Sequence, residues 1–245
     1  MATSLPVAMP SQSAHSFRIR RGASRALKAA AIAAEIGSRR MAPQDGAATL
    51  AGDRDLERTF VQARLTDGPG RTLDFGADTG LLSLAAAQRG HEVVALDRLD
   101  VRGDVEHPAV TRLVADILDE PLAGERFDQI VNCSSVEHVG LAGRYGSSDA
   151  PGGDIEAMSI LAERLAPGGR HLLTVPVGQD MVCAPQHRIY GTERLPRLLE
   201  HHAVLEEQYW HKDAGAWRPT DRDTALAVAG SRSFYALGLF VLGPR

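Results

Sequence analysis

The residues whose types and spacing could do chemistry are densest in Arg71 to Gly90, RTLDFGADTGLLSLAAAQRG. A short apolar run ends in an acid, Asp74, and a turn follows in which Gly76 and Gly80 flank Asp78 before an Ala/Leu-rich stretch begins. A strand that enters such a turn and then a helix N-terminus brings backbone N–H groups up to a ligand, and glycine lets the chain pass where a side chain would block it. A carboxylate at the strand's carboxyl end suits a ligand carrying an ammonium group better than one carrying a pyrophosphate. Further on, Glu137-His138 sets a carboxylate beside an imidazole. Imidazole titrates near neutral pH and reaches a nucleophile through one hydrogen bond, the profile of a general base.

The elements that must position these groups alternate along the chain. Runs at 71–75, 91–97 (HEVVALD), 111–117 (TRLVADI), 127–135 (FDQIVNCSS) and 170–177 (RHLLTVPV) are short, apolar or β-branched, and end in a polar residue or turn. A helix over Asp154 to Ala166 is stopped by Pro167-Gly168-Gly169. Alternating strands and helices imply right-handed crossovers and a mostly parallel, doubly wound α/β sheet, with ligands at the carboxyl ends of its strands. The loop 178–191 should border the same cleft with His187, Arg188 and Tyr190, a set that suits a hydroxylated or carboxylated small molecule. A helix over 192–202, a strand over 203–210, a polar stretch with a small Ala-rich helix and a strand over 233–242 complete the chain.

Upstream, residues 1–16 carry no charged side chain and read as a mobile tail. Phe17 to Arg40 is Arg-rich and Ala-rich, and 17–66 reads as a helical extension serving as lid or oligomer contact. An organelle-targeting presequence would look similar over its first half. Leu56, Phe60, Val61 and Leu65 recur there at helical spacing until Gly68-Pro69-Gly70 ends the run.

The totals narrow the function. At 245 residues, one α/β domain spanning 67–245 fits beside that extension. Against 31 acidic residues stand 27 Lys and Arg, a net charge of −4 that argues against a nucleic acid as main partner. No apolar run reaches the roughly 18 residues that span a bilayer. Two cysteines, Cys133 and Cys183, make no disulfide framework, so a cytoplasmic protein with inert thiols is expected.

Four motifs in order, LDFGADTG (73–80), VVALD (93–97), VADI (114–117) and LAPGGRHLLTVPVG (165–178), make the chain from about Thr59 onward resemble class I S-adenosylmethionine-dependent methyltransferases. The resemblance implies a seven-stranded, Rossmann-like sheet with S-adenosylmethionine as cofactor. Asp74 and the glycine turn would hold its methionine moiety, Asp97 its ribose hydroxyls and Asp116 its adenine, with Ile117 and Ser134 beside them. It also aims the segment after strand four at the methyl group, which makes His138 the candidate base for a hydroxyl acceptor, with Glu137 orienting it or binding substrate. Asp78 departs from the family's G-x-G-x-G turn, where a glycine is usual. SSVEHVGLAGRYG (134–146), Gly153-Asp154 and HRIYG (187–191) look like a little-characterised branch whose relatives sit among enzymes modifying sugars or natural products. Arg144 and Tyr145 sit in a long loop after strand four, of the kind that serves as a lid, where Tyr145 would face a small-molecule acceptor. Ubiquinone-pathway O-methyltransferases have a similar E-x-x-E-H metal-binding segment. Ser134 stands in place of its first acid, and no metal is expected.

Two other readings compete. A nicotinamide-dependent oxidoreductase would need glycine where Leu81 stands, and a Tyr-x-x-x-Lys pair where Tyr145 is followed by Asp149. A non-catalytic, cofactor-sensing relative would owe its loss of binding to Asp78. A homodimer is compatible with the extension.

Overall fold

The computed structural model describes residues 52–100, 106–142, 145 and 149–245. The expected tail, the basic stretch at 17–40 and Arg144 lie outside the described residues. The remaining chain forms α1 (Asp53–Gln62), β1 (Gly70–Phe75), α2 (Leu81–Gln88), β2 (His91–Asp97), β3 (Val110–Val114), β4 (Phe127–Cys133), α3 (Gly153–Arg164), β5 (Leu165–Val177), β6 (Met181–Cys183), β7 (His187–Ile189), α4 (Arg194–Leu198), β8 (His202–Asp213), β9 (Ala216–Thr220), α5 (Arg222–Leu226) and β10 (Ala236–Pro244). Short 3-10 turns at Ile117–Asp119 and Val136–His138 follow β3 and β4.

The central sheet runs β3-β2-β1-β4-β5-β10-β8-β9. Strands β1 to β5 pair in parallel, whereas β10 lies antiparallel between β5 and β8. Their sequences explain the burial: β1, β4 and β5 are covered on both faces and read as nearly continuous apolar runs. On one face Leu56, Phe60 and Val61 of α1 pack with Leu82 and Ala86 of α2 against Val131, Leu172, Leu237 and Leu239. On the other, Met158 and Leu161 of α3, Leu195 of α4 and Leu226 of α5 meet Leu73, Ile130, Leu173 and Phe240. Chain order reverses between β1 and β4, the crevice where doubly wound sheets take ligands.

Three expectations need correction. The sheet has eight strands, not seven, because 216–220 forms β9 where a polar stretch was expected. Pro219 disguises it: proline lacks a ladder donor and is tolerated in an edge strand such as this. The 178–191 loop contains a two-stranded sheet, β6 pairing with β7. Finally, β5 begins at Leu165, ahead of Pro167-Gly168-Gly169, and meets β4 through a register irregularity between Phe127 and Gln129. Such an irregularity accommodates the extra residues without ending the strand.

Candidate active site

The acids expected at the strand tips gather at one end of the sheet. Asp74, one residue before the end of β1, is 2 % exposed and accepts the Ser83 hydroxyl of α2 at 2.5 Å. Burial pushes its pKa up to about 6; the Ser83 hydrogen bonds oppose the shift, and Asp97 adds to it. The turn after β1 is fixed by close approach. Gly76 has φ +74, and a Cβ there would meet the Ser135 hydroxyl at 2.1 Å. Asp78 takes φ +45, which aspartate tolerates better than most residues. Its N–H donates to Asp97 Oδ2 at 2.9 Å, while Leu99 N–H reaches Asp97 Oδ1 at 2.9 Å. Gly80 is the N-cap of α2.

After β3, Asp116 accepts Leu118 N–H at 3.1 Å and forms an ion pair with Arg98. Ile117 is buried beside it. At the end of β4, Ser134 adopts φ +50 and gives its hydroxyl to Glu57 of α1. Thr174 of β5 donates to the same Glu57 oxygen at 3.0 Å, and Arg54 stands 3.4 Å from the other. Burial raises the Glu57 pKa to about 7, opposed by Arg54 and the Ser134 hydrogen bond. Burial likewise pushes the neighbouring Cys133 thiol up to about 12, so it stays protonated at neutral pH.

Nine of the expected residues line a single cleft of about 380 Å³: Asp74, Gly76, Asp78, Asp97, Asp116, Ile117, Ser134, His138 and Tyr145. Arg54 and Arg58 of α1, Arg98 and Ser135 also line it. Sequence reasoning missed these. The apolar stripe of α1 was legible, but that its polar flank meets the tip of β4 is a tertiary fact. The Arg58 side chain makes no hydrogen bond or ion pair among the described residues, whereas that of Arg54 is held by Glu57 and by the Cys133 carbonyl at 3.3 Å.

His138 closes the turn Val136–His138. Its Nδ1 lies 2.5 Å from the Gln186 carbonyl oxygen. A carbonyl only accepts, so Nδ1 carries the proton and Nε2 is the basic nitrogen of the neutral ring. Nε2 stands 3.6 Å from Glu137 Oε1. The Tyr145 ring meets the His138 ring edge-on, with centroids 5.2 Å apart.

Five expected residues are not on the cleft wall. Gly80 acts through the turn, and Glu137 is buried behind His138. His187 is 6 % exposed, its ring centroid 6.4 Å from that of His138. Arg188 and Tyr190, expected around an acceptor, are instead in the interior: the Arg188 Nε lies 3.4 Å from Asp154 Oδ1, and the Tyr190 hydroxyl donates to Asp154 Oδ2 at 3.1 Å. The cause is α3, whose buried Asp154 needs cationic and hydroxyl partners and draws both side chains inward. Among the described residues no three His, Cys, Asp or Glu side chains gather as metal ligands.

Comparison with known proteins places this geometry in context. A family model described as a Caenorhabditis protein of unknown function, DUF268, matches residues 117–215. No curated protein matches the sequence. Among solved structures, the chain is similar to 1,6-didemethyltoxoflavin-N1-methyltransferase of Burkholderia thailandensis, with 18% identity, TM-score 0.51, and 98% of this chain and 94% of that one covered. It is also similar to the N-methyltransferase NodS of Bradyrhizobium japonicum, with 17% identity, TM-score 0.54, and coverage of 84% and 93%. The [4+2]-cyclase SpnF is similar too, with 20% identity, TM-score 0.52, and coverage of 69% and 64%. The fold therefore hosts more than one chemistry. These likenesses and the strand order show that the chain has the class I S-adenosylmethionine-dependent methyltransferase fold, with one further strand, β9, at its edge.

Proposed function

We propose that this protein binds S-adenosylmethionine and catalyses methyl transfer to a hydroxyl of a small molecule, a sugar or natural product, with His138 as general base. The observation that carries the proposal is the meeting of Asp74, Asp97 and Asp116, from three successive strand ends, in one cleft with His138. The methyltransferase neighbours crystallised with S-adenosylhomocysteine support the cofactor assignment.

The donor set fits that cofactor. Asp74 offers a carboxylate to its ammonium, and Arg58 a guanidinium to its carboxylate. Asp97 already accepts two backbone N–H groups, yet a carboxylate has about four lone-pair sites, so two remain for ribose hydroxyls. Asp116 and Ile117 border the adenine end. The cofactor supplies a methyl group on a sulfonium, an electrophile that needs no further activation.

What remains for the chain is to position the acceptor and receive its proton. Nε2 of His138 takes the hydroxyl proton, and the resulting imidazolium is stabilised by Glu137 Oε1 at 3.6 Å and by the Gln186 carbonyl at Nδ1. General-base assistance of this kind contributes about 10²–10⁴-fold. Tyr145, edge-on to His138, would face the acceptor.

Calorimetric titration with S-adenosylhomocysteine tests the cofactor half of the proposal. Saturable binding in the micromolar range is expected, and no heat up to millimolar ligand refutes it. Transfer of labelled methyl to a panel of hydroxylated small molecules tests the other half. His138→Ala should lower that transfer by about 100-fold or more. A protein that labels nothing and binds the cofactor weakly, with affinity regained in Asp78→Gly, favours the non-catalytic, cofactor-sensing reading instead.

A further inference from the structure

Two residues of one small element, the β6–β7 hairpin, hold His138 and its turn. Its turn residue Gln186 accepts the His138 Nδ1 proton through the main-chain carbonyl at 2.5 Å. Two residues later, Arg188 is almost wholly buried, and its guanidinium donates from Nη1 to the Val139 carbonyl at 2.5 Å and to the Glu137 carbonyl at 3.4 Å. Those carbonyls belong to the residues on either side of His138. From Nη2 the same group reaches the Pro151 carbonyl at 3.5 Å. Val139 and Pro151 flank the neck of the excursion that carries Tyr145, a neck closed by the Ala150 N–H donating to the Gly140 carbonyl at 3.0 Å. One planar, five-donor cation thus ties together the base, the neck of the Tyr145 loop and the start of α3.

Burying that cation is costly unless it is paired. Asp154 is fully buried and supplies the counter-charge, sharing its carboxylate with Arg188, Arg194 at 2.8 Å and the Tyr190 hydroxyl at 3.1 Å. A lysine could neutralise Asp154, but it has no planar fork with which to hold carbonyls on both sides of the histidine.

We infer that Arg188, neutralised by Asp154, is the positioning residue for His138: with Gln186 it fixes the ring as the Nδ1–H tautomer and so makes Nε2 the basic nitrogen. The inference rests on the reading of His138 as a base, but the state of the ring can be measured without any acceptor. Arg188 and Asp154 do not line the cleft, so they act on the chemistry only through the turn they hold.

The test uses the full chain labelled with ¹⁵N-histidine, with His138 assigned by comparison with His138→Gln. Long-range ¹H–¹⁵N correlation at pH 8 should show a single Nδ1–H tautomer in the native protein. In the charge-neutral pair Arg188→Met with Asp154→Asn, the pattern should move to an averaged mixture of tautomers, while affinity for S-adenosylhomocysteine stays within about threefold. Arg188→Lys, which keeps the ion pair, should give an intermediate shift and serves alone if the double variant does not fold. Loss of stability by itself would lower the melting temperature without altering the ring nitrogens below it. An unchanged His138 pattern in a folded variant overturns the inference, as does an Nε2–H tautomer in the native protein. Failure of the native chain to bind S-adenosylhomocysteine would sink the methyl-transfer reading and leave the tautomer result to stand or fall separately.

Discussion

The main-chain N–H of Asp78 donates to the Asp97 carboxylate at 2.9 Å, so the residue that departs from glycine in the turn also helps to orient the acid at the end of β2. The contact is made by the backbone and does not depend on the Asp78 carboxylate, although proline, which has no N–H, would abolish it.

That arrangement ranks two variants. Asp78→Gly keeps the N–H and readily adopts positive φ, so its affinity for S-adenosylhomocysteine should stay within about threefold of native. Asp97→Ala removes the acceptor proposed for two ribose hydroxyls and should weaken binding about 150-fold or more, as expected for two charge-assisted hydrogen bonds worth roughly 1.5–3 kcal/mol each. Calorimetry on both variants checks the order. If Asp78→Gly proved the weaker binder, the turn's carboxylate would itself be a ligand contact.

Asp74 gives the site a pH dependence. Its pKa in the free protein is raised to about 6, chiefly by burial, so the anion that pairs with an ammonium dominates above pH 6 and is lost below it. Affinity for S-adenosylhomocysteine should therefore be flat from pH 7 to 8 and fall progressively below 6. In Asp74→Asn it should be weaker throughout and lack that fall. Titrations at pH 5, 6, 7 and 8 provide the comparison.

Arg58 lines the cleft, its side chain makes no hydrogen bond or ion pair among the described residues, and it is the proposed partner of the cofactor's carboxylate. Arg58→Gln should lower affinity for S-adenosylhomocysteine about tenfold, which corresponds to 1.4 kcal/mol. Binding of methylthioadenosine, which lacks the amino-acid end, should not change. Equal losses for both ligands would show that Arg58 shapes the cleft rather than recognising an anion.

A second histidine pair, away from the cleft, should govern acid stability. His171 of β5 is fully buried, with Nδ1 3.0 Å from Nε2 of His202 at the start of β8. Burial lowers the His202 pKa to about 4, helped by His201, and lowers that of His171 well below its ordinary value. Folded pKa values below the unfolded 6.5 mean that the unfolded chain binds more protons. The stability these groups confer is then complete above pH 6.5 and is lost as pH falls from there towards 4. His202→Gln should flatten the decline in melting temperature between pH 6.5 and 4.5. An unaltered slope would exclude the pair as its source.

How far the sequence foretold all this depended on whether a feature was local. Asp74, Asp97 and Asp116 were legible because strand ends are marked by composition, and the parallel ladder then brings those ends together. Glu57 was not, because a glutamate on an amphipathic helix looks solvated until Ser134 and Thr174 are known to meet it. Arg188 and Tyr190 were misplaced for a related reason. In the linear order they adjoin His187 and border the cleft, but the whole segment is buried and the carboxylate of Asp154 holds both side chains in the interior. His138 and its neighbours were readable as a motif, whereas Gln186, Arg188 and Asp154, which hold its turn, come from elements remote in sequence.

Pro219 sits in β9, the outermost strand on its side of the sheet. Because it has no N–H, a stray chain trying to lengthen the ladder there would find a rung missing. The residue that hid this strand from composition is therefore also a guard against self-association: the added strand leaves the sheet with a blunted rather than an adhesive rim.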